Sequence, residues 1–127
     1  MPEEVETDPR ESSILDDTKK LLGLAPDYDA FDLDVIIGIN SALSTLHQLG
    51  VGPEDGFSIA GRTSKWKDFI GNDPLLSEVL TYVGLKTRLV FDPPANSYTI
   101  QAFEKIIAEL EFRLNVKAEE NNWTGGR

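Results

Sequence analysis

The sequence predicts an all-α fold, a small four-helix bundle that ends in a long C-terminal αα-hairpin. Three observations carry the prediction. Apolar residues recur at three- and four-residue spacing in two long stretches: Val35, Ile39, Leu43, Leu46 and Leu49, then Ile100, Phe103, Ile107, Leu110 and Leu114. Between them, Leu75, Leu76, Val79, Leu80, Val83, Leu85, Leu89 and Val90 cover well over half of a third helix, which therefore lies at the centre of a bundle or under a neighbouring subunit. Asp92-Pro93-Pro94 then stops this third helix, because proline lacks a backbone donor and pushes the preceding residue out of the α region. The helical pattern restarts at Asn96 or Ser97, so the last two helices must reverse on a short link.

The elements follow in order. Residues 1–11 hold five acids against Arg10 and too few apolar side chains to fold alone, and they read as a flexible acidic arm. Ser12 or Ser13 caps a short first helix with Asp16 and Asp17 in its first turn, Lys19 and Lys20 near its end, and Gly23 where it stops. Asp29 or Asp32 caps the second helix, which Gly50-Val-Gly-Pro53 terminates near Leu49. Phe57-Ser-Ile59 is long enough only for one short strand or an extended link, and Lys65–Ile70 for a turn or two of helix. Asn72-Asp73-Pro74 starts the third long helix, with Asp73 as cap and Pro74 at the first helical position. After the last helix, residues 117–127 are polar and glycine-bearing and read as a flexible tail, which leaves residues 12–116 as one folded domain.

Composition narrows the classes of function. The 127 residues suffice for one domain that buries roughly two-thirds of its extended surface. The absence of cysteine excludes disulfides, thiolate metal sites and cysteine nucleophiles. No apolar run approaches the ~20 residues of a membrane span, and no signal peptide is visible, so the chain is expected in the cytoplasm where it is made unless an assembly carries it out. A net charge of −10 opposes general affinity for nucleic acid. The charge is uneven: Asp27, Asp29, Asp32 and Asp34 crowd one loop, whereas Arg62, Lys65, Lys67, Lys86 and Arg88 make residues 62–88 basic, as in proteins that dock through complementary patches.

Catalytic and cofactor readings fail. His47 is the only histidine and has no placed partner for a triad. The stretch Asp27–Asp34 opens like a calcium loop, but Asp32 stands where that loop needs glycine and Gly38 where it needs glutamate. Gly50-Val-Gly52 follows a helix and lacks the third glycine of a dinucleotide loop. No enzyme activity, cofactor or metal site is therefore expected. Two interaction candidates remain. Arg62-Thr-Ser-Lys65-Trp66-Lys67 interleaves an aromatic with three cations, although the favoured reading of Trp66 and Phe69 is that they anchor the loop to the bundle. Trp123 stands in a polar tail, where it can anchor in a partner's pocket.

The order "SILDDTKKLLGL", an acidic loop, "INSALSTLHQLGVGP", "FSI", "WKDFIG", "YVGLKTRLVFDPP" and "IAELEFRLN" resembles the phage head–tail connector family, the small helical head-completion adaptors that sit beneath the portal. The similarity spans residues 12–116. It implies a structural virion protein of the neck, made in the bacterial cytoplasm, that assembles on the portal protein as a ring of about twelve subunits. The ring extends the channel through which DNA passes without specific binding, and a stopper or next neck protein binds on its far side. In related adaptors the C-terminal segment reaches the portal. By position that role falls here to residues after Asn115, with Trp123 as anchor and Lys117 and Arg127 in the same segment; this tail departs from the shared pattern. A small acidic regulator or inhibitor, such as an antirepressor or DNA mimic, is the alternative, supported by charge and helicity alone.

Overall fold

The structure, a computed structural model, describes residues 8–125, with side chains to residue 120. After a 3-10 turn at Pro9–Glu11 come α1 (Ile14–Leu21), α2 (Asp32–Gln48), α3 (Trp66–Ile70), α4 (Leu76–Phe91) and α5 (Ser97–Gly125). The domain is all-α, with four substantial helices and no strand among the described residues. Residues 57–59 form an irregular link, held by one side chain. The Ile59 N–H donates to Asn40 Oδ1 (2.8 Å), while Asn40 Nδ2 donates to the Ile59 carbonyl (3.0 Å). One amide thus satisfies both backbone groups that a neighbouring strand would otherwise take.

Helix ends follow local chemistry. Ser13 Oγ accepts from the Asp16 amide at 3.1 Å and caps α1, and Gly23 follows the helix with φ +83°, a left-handed turn that favours glycine. Asp73 is not the cap of α4 and Pro74 is not its first residue: Leu75 holds the N-cap position without a side-chain bond and the helix begins at Leu76. The Asp73 carboxylate, accepting from the Leu75 amide at 2.9 Å, holds the turn before it. Asn96 Oδ1 accepts from the amides of Tyr98 (2.7 Å) and Thr99 (3.2 Å), capping α5. At α2 the expectation needs correcting. Phe31 occupies the N-cap position with no side-chain bond, and neither Asp29 nor Asp32 caps the helix through its carboxylate. Asp32 lies inside the first turn and faces Lys19 at 2.7 Å.

Packing places α4 between α2 and α5, with α1 laid against both α2 and α4. Val35, Ile39, Leu43 and Leu46 of α2, Val79, Tyr82 and Val83 of α4, and Ile107, Leu110 and Leu114 of α5 form the core, with Ile14, Leu15 and Trp66 closing one side. Gly38 lets α2 approach α4. A Cβ there would lie 2.9 Å from Thr87 Cγ2, closer than packed carbons come. Gly84 plays the same part against α1, since a Cβ on it would meet Leu21 Cδ1 at 2.6 Å. α5 is 29 residues, hence roughly 43 Å long. It passes residue 117 without a break, and Ala118 is buried beneath Gly50.

Thr87 also carries a cost, because its hydroxyl is buried without a hydrogen-bond partner among the described residues. Valine keeps the methyl that meets Gly38 and removes that hydroxyl. Thr87→Val is therefore expected to raise the urea midpoint, by about 1 kcal/mol of stability. Gly38→Ala is expected to lower it by about 1 kcal/mol, the crowding of Thr87 outweighing the gain in helix propensity. Combining Gly38→Ala with Thr87→Ser, which deletes the crowded methyl, should recover part of that loss in a double-mutant cycle.

Candidate partner-binding surfaces

In the cationic stretch 62–67 the aromatic is buried, whereas the three cations stay about half exposed and pair with acids of the arm and α1. Trp66 has no exposed surface, and its indole N–H donates to Asp17 Oδ2 of α1 at 2.9 Å. It anchors α3 to the bundle. Lys67 meets Glu11 Oε2 at 2.9 Å and Lys65 meets Glu11 Oε1 at 3.5 Å, while Arg62 reaches Asp16 of α1 at 3.2 Å. Arg10 adds a bond from Nη1 to the Gly71 carbonyl at 2.8 Å. The stretch Asp8–Glu11 of the acidic arm therefore lies along α3, held by ion pairs and without a buried side chain in its 3-10 turn. The hydrogen bond and charge of Lys67 hold the Glu11 carboxyl below its ordinary range, with Lys65 contributing, and Glu11 in turn raises Lys67. Residues 1–7 lie outside the described part of the chain.

At the other end of the sequence, Lys117 projects from α5 and pairs with Glu120 at 3.8 Å. Together with Phe112, Val116 and Leu75 these residues line a shallow groove beside α4. The Trp123 side chain and Arg127 lie outside the described residues; the backbone of Trp123 belongs to α5. The structure thus separates the candidates into two regions, Arg62, Lys65, Trp66 and Lys67 beside the N-terminal arm, and Lys117 on α5.

Several side chains that the sequence left undistinguished organise the surface. Lys19 is 1% exposed, donates to the Pro26 carbonyl (2.9 Å) and pairs with Asp32 (2.7 Å), joining α1, the following loop and α2 at one buried ammonium. Tyr82, also buried, donates to Glu111 of α5 at 2.7 Å, and its burial, reinforced by that carboxylate, pushes the phenol above its ordinary range. His47 is exposed, with Nε2 3.0 Å from the Glu54 carbonyl. Among the described residues no three potential metal ligands gather, and no helix is long and apolar enough to cross a membrane. Asp27, Asp29 and Asp34 are exposed and form no ion pair among the described residues, whereas Asp32 is committed to Lys19.

Large apolar side chains also remain outside. Leu33 (71% exposed) and Ile37 (57%) stand one turn apart on α2, Val90 (71%) ends α4, and Tyr98 (82%) and Phe112 (70%) lie along α5. These side chains are distributed over several helices rather than gathered in one pocket.

The fold defines a small all-α bundle with a long C-terminal helix. A family model described as phage connector protein matches residues 14–121, and the chain belongs to that structural family. Comparison with curated proteins and with solved structures gives no match.

The ionic attachment of the arm makes a direct prediction. Glu11 carries its charge above its depressed pKa and Lys67 below its raised one, so the attachment is complete at neutral pH. It is lost as pH falls through the lowered Glu11 value, and on the alkaline side as pH rises through the raised Lys67 value. Glu11→Gln should therefore speed tryptic cleavage after Arg10 at neutral pH, severalfold at low salt, with the difference shrinking towards 1 M salt. Equal cleavage rates at low salt would show that Glu11 does not hold the arm.

Proposed function

We propose that this chain is a head–tail connector subunit of the virion neck, which assembles as a ring on the portal protein and extends the DNA channel towards the tail. The observation that carries the reading is the match to the connector family over residues 14–121. The physical character of the surface supports it. An acidic protein of net charge −10 gives passing DNA little to adhere to, and apolar side chains on α2, α4 and α5 provide material for contacts between chains.

The portal contact falls in this reading to the segment beyond Asn115, which holds Lys117 and Trp123 of α5 and, outside the described residues, Arg127. A continuous helix fixes the direction in which this segment leaves the bundle, and it does so identically in every copy. The Asp92-Pro93-Pro94 stop and the Asn96 cap set where that helix begins. The stopper or next neck protein would bind on the opposite side of the ring.

Sedimentation of the chain with the portal ring of the same phage tests the proposal. Full-length protein at micromolar concentration should co-sediment in a fixed ratio, and removal of residues 121–127, which leaves the buried Ala118 in place, should weaken binding at least tenfold (about 1.4 kcal/mol). Binding unaffected by the truncation would move the portal contact to the bundle. No co-sedimentation of the full-length chain would overturn the connector role proposed here.

A further inference from the structure

An apolar cleft opens where α1, α4 and α5 meet. Leu21 forms one wall and Phe103 the other, with Leu80, Gly84 and Leu85 between them, and its volume is about 150 Å³. Arg88 is the only cation among its lining residues. The guanidinium lies over the Phe103 ring at 5.9 Å and its Nε donates to the Asp92 carbonyl, but it has no carboxylate partner among the described residues. Lys20, next to Leu21 in sequence, is exposed and likewise forms no ion pair there.

The outer face of α2 has the opposite character. Leu33 and Ile37 each stand two residues from the buried Val35, which puts them on the side of the helix turned away from the core. Farther along, that face continues through Ser41, Ser44 and Gln48, all exposed and uncharged. Its charge lies at the N-terminal end, where Asp34, Asp29 and Asp27 have no cationic partner among the described residues. One surface is thus an apolar cleft with unpaired cations, the other a pair of projecting aliphatic side chains with unpaired carboxylates. No α2 residue lines the cleft, so a single copy cannot bring the two together.

We infer that the outer face of α2 in one copy docks into the α1–α4–α5 cleft of the next, with Leu33 and Ile37 entering between Leu21 and Phe103 and Asp34 facing Arg88. The partner is a second copy of this chain. Because the two surfaces differ, the contact is heterologous: each copy uses its α2 face on one side and its cleft on the other, and repetition generates a closed ring or an open filament rather than a two-fold dimer. Apolar contact supplies the association and the charge pairs fix its direction. The inference rests on the ring reading above and names the surfaces through which the ring closes.

Charge reversal tests it. Sedimentation velocity would be run on wild type, Asp34→Arg, Arg88→Glu, their equimolar mixture and the double variant, each alone at high concentration and with portal rings. Circular dichroism would first establish that each variant is folded. The wild type should assemble. Each single variant should associate at least about tenfold more weakly, since like charges then face one another. The mixture and the double variant should both regain assembly, because each restores an Arg–carboxylate pair at every contact. Thr81→Trp, which fills the cleft from an exposed position without changing charge, should also block assembly. A wild type that assembles while the single variants match it, or while the mixture fails to recover, overturns the assignment of surfaces and leaves the ring intact. A wild type that assembles neither alone nor on the portal overturns the ring reading and this inference together.

Discussion

Where α2 meets α4, Gly38 brings the helix backbone against the Thr87 side chain, and the placement of the other helices depends on that close approach. It sets α4 in the middle of the bundle, so that one side of α4 receives α2 and another receives α5. Gly84 repeats the device three residues earlier, admitting Leu21 of α1. Small residues at helix crossings shorten the distance between axes and strengthen the van der Waals attraction along them. The buried, unpartnered hydroxyl of Thr87 shows that this close packing is kept despite a local penalty.

Lys19 fixes the second dimension of the fold. Its ammonium sits at the C-terminal end of α1, where the helix dipole favours a cation, and binds both the Pro26 carbonyl and the first-turn carboxylate of α2. A buried charge with two partners tolerates few alternative arrangements, since losing either partner leaves it uncompensated. The loop between α1 and α2 is thereby held, and the first-turn acid of α2 is committed to Lys19 while Phe31, at the N-cap position, makes no side-chain bond. At the opposite side, Trp66 and the Glu11 ion pairs tie the arm, α3 and α1 into one unit.

Much of this was legible in the sequence, for definite reasons. Periodicity located α2 and α5, since burying one face of a helix demands that spacing, whereas α4 was located by its broad apolar cover between Asp73-Pro74 and Asp92-Pro93-Pro94. Ser12 or Ser13, Asn96 or Ser97 and the Pro-Pro stop announced helix boundaries through local hydrogen bonding and steric exclusion, which involve neighbours in sequence, and the structure selects Ser13 and Asn96 as the caps. What the sequence hid depends on distant partners. Lys19 read only as an end-of-helix cation, and Asp32 and Pro26 reveal why it is buried. Asn40 gave no sign that it would replace a strand partner for Ile59. The basic run 62–67 gave no sign of its intramolecular partners, because Glu11 and Asp16, with which it pairs, lie some fifty residues away. Charge runs show which groups are present, whereas pairing decides which of them remain free. The same distinction leaves Asp34 and Arg88 as the groups with unsatisfied charge at the two ends of the proposed contact.

The central claim is that this bundle works as a repeated subunit seated on a portal. Electron cryomicroscopy of the chain mixed with portal rings tests it most directly. The account predicts a second ring on one face of the portal, made of copies of this bundle related by rotation about the channel axis, with α2 of each copy against the next. Portal rings that remain bare at saturating concentrations of the chain would contradict it.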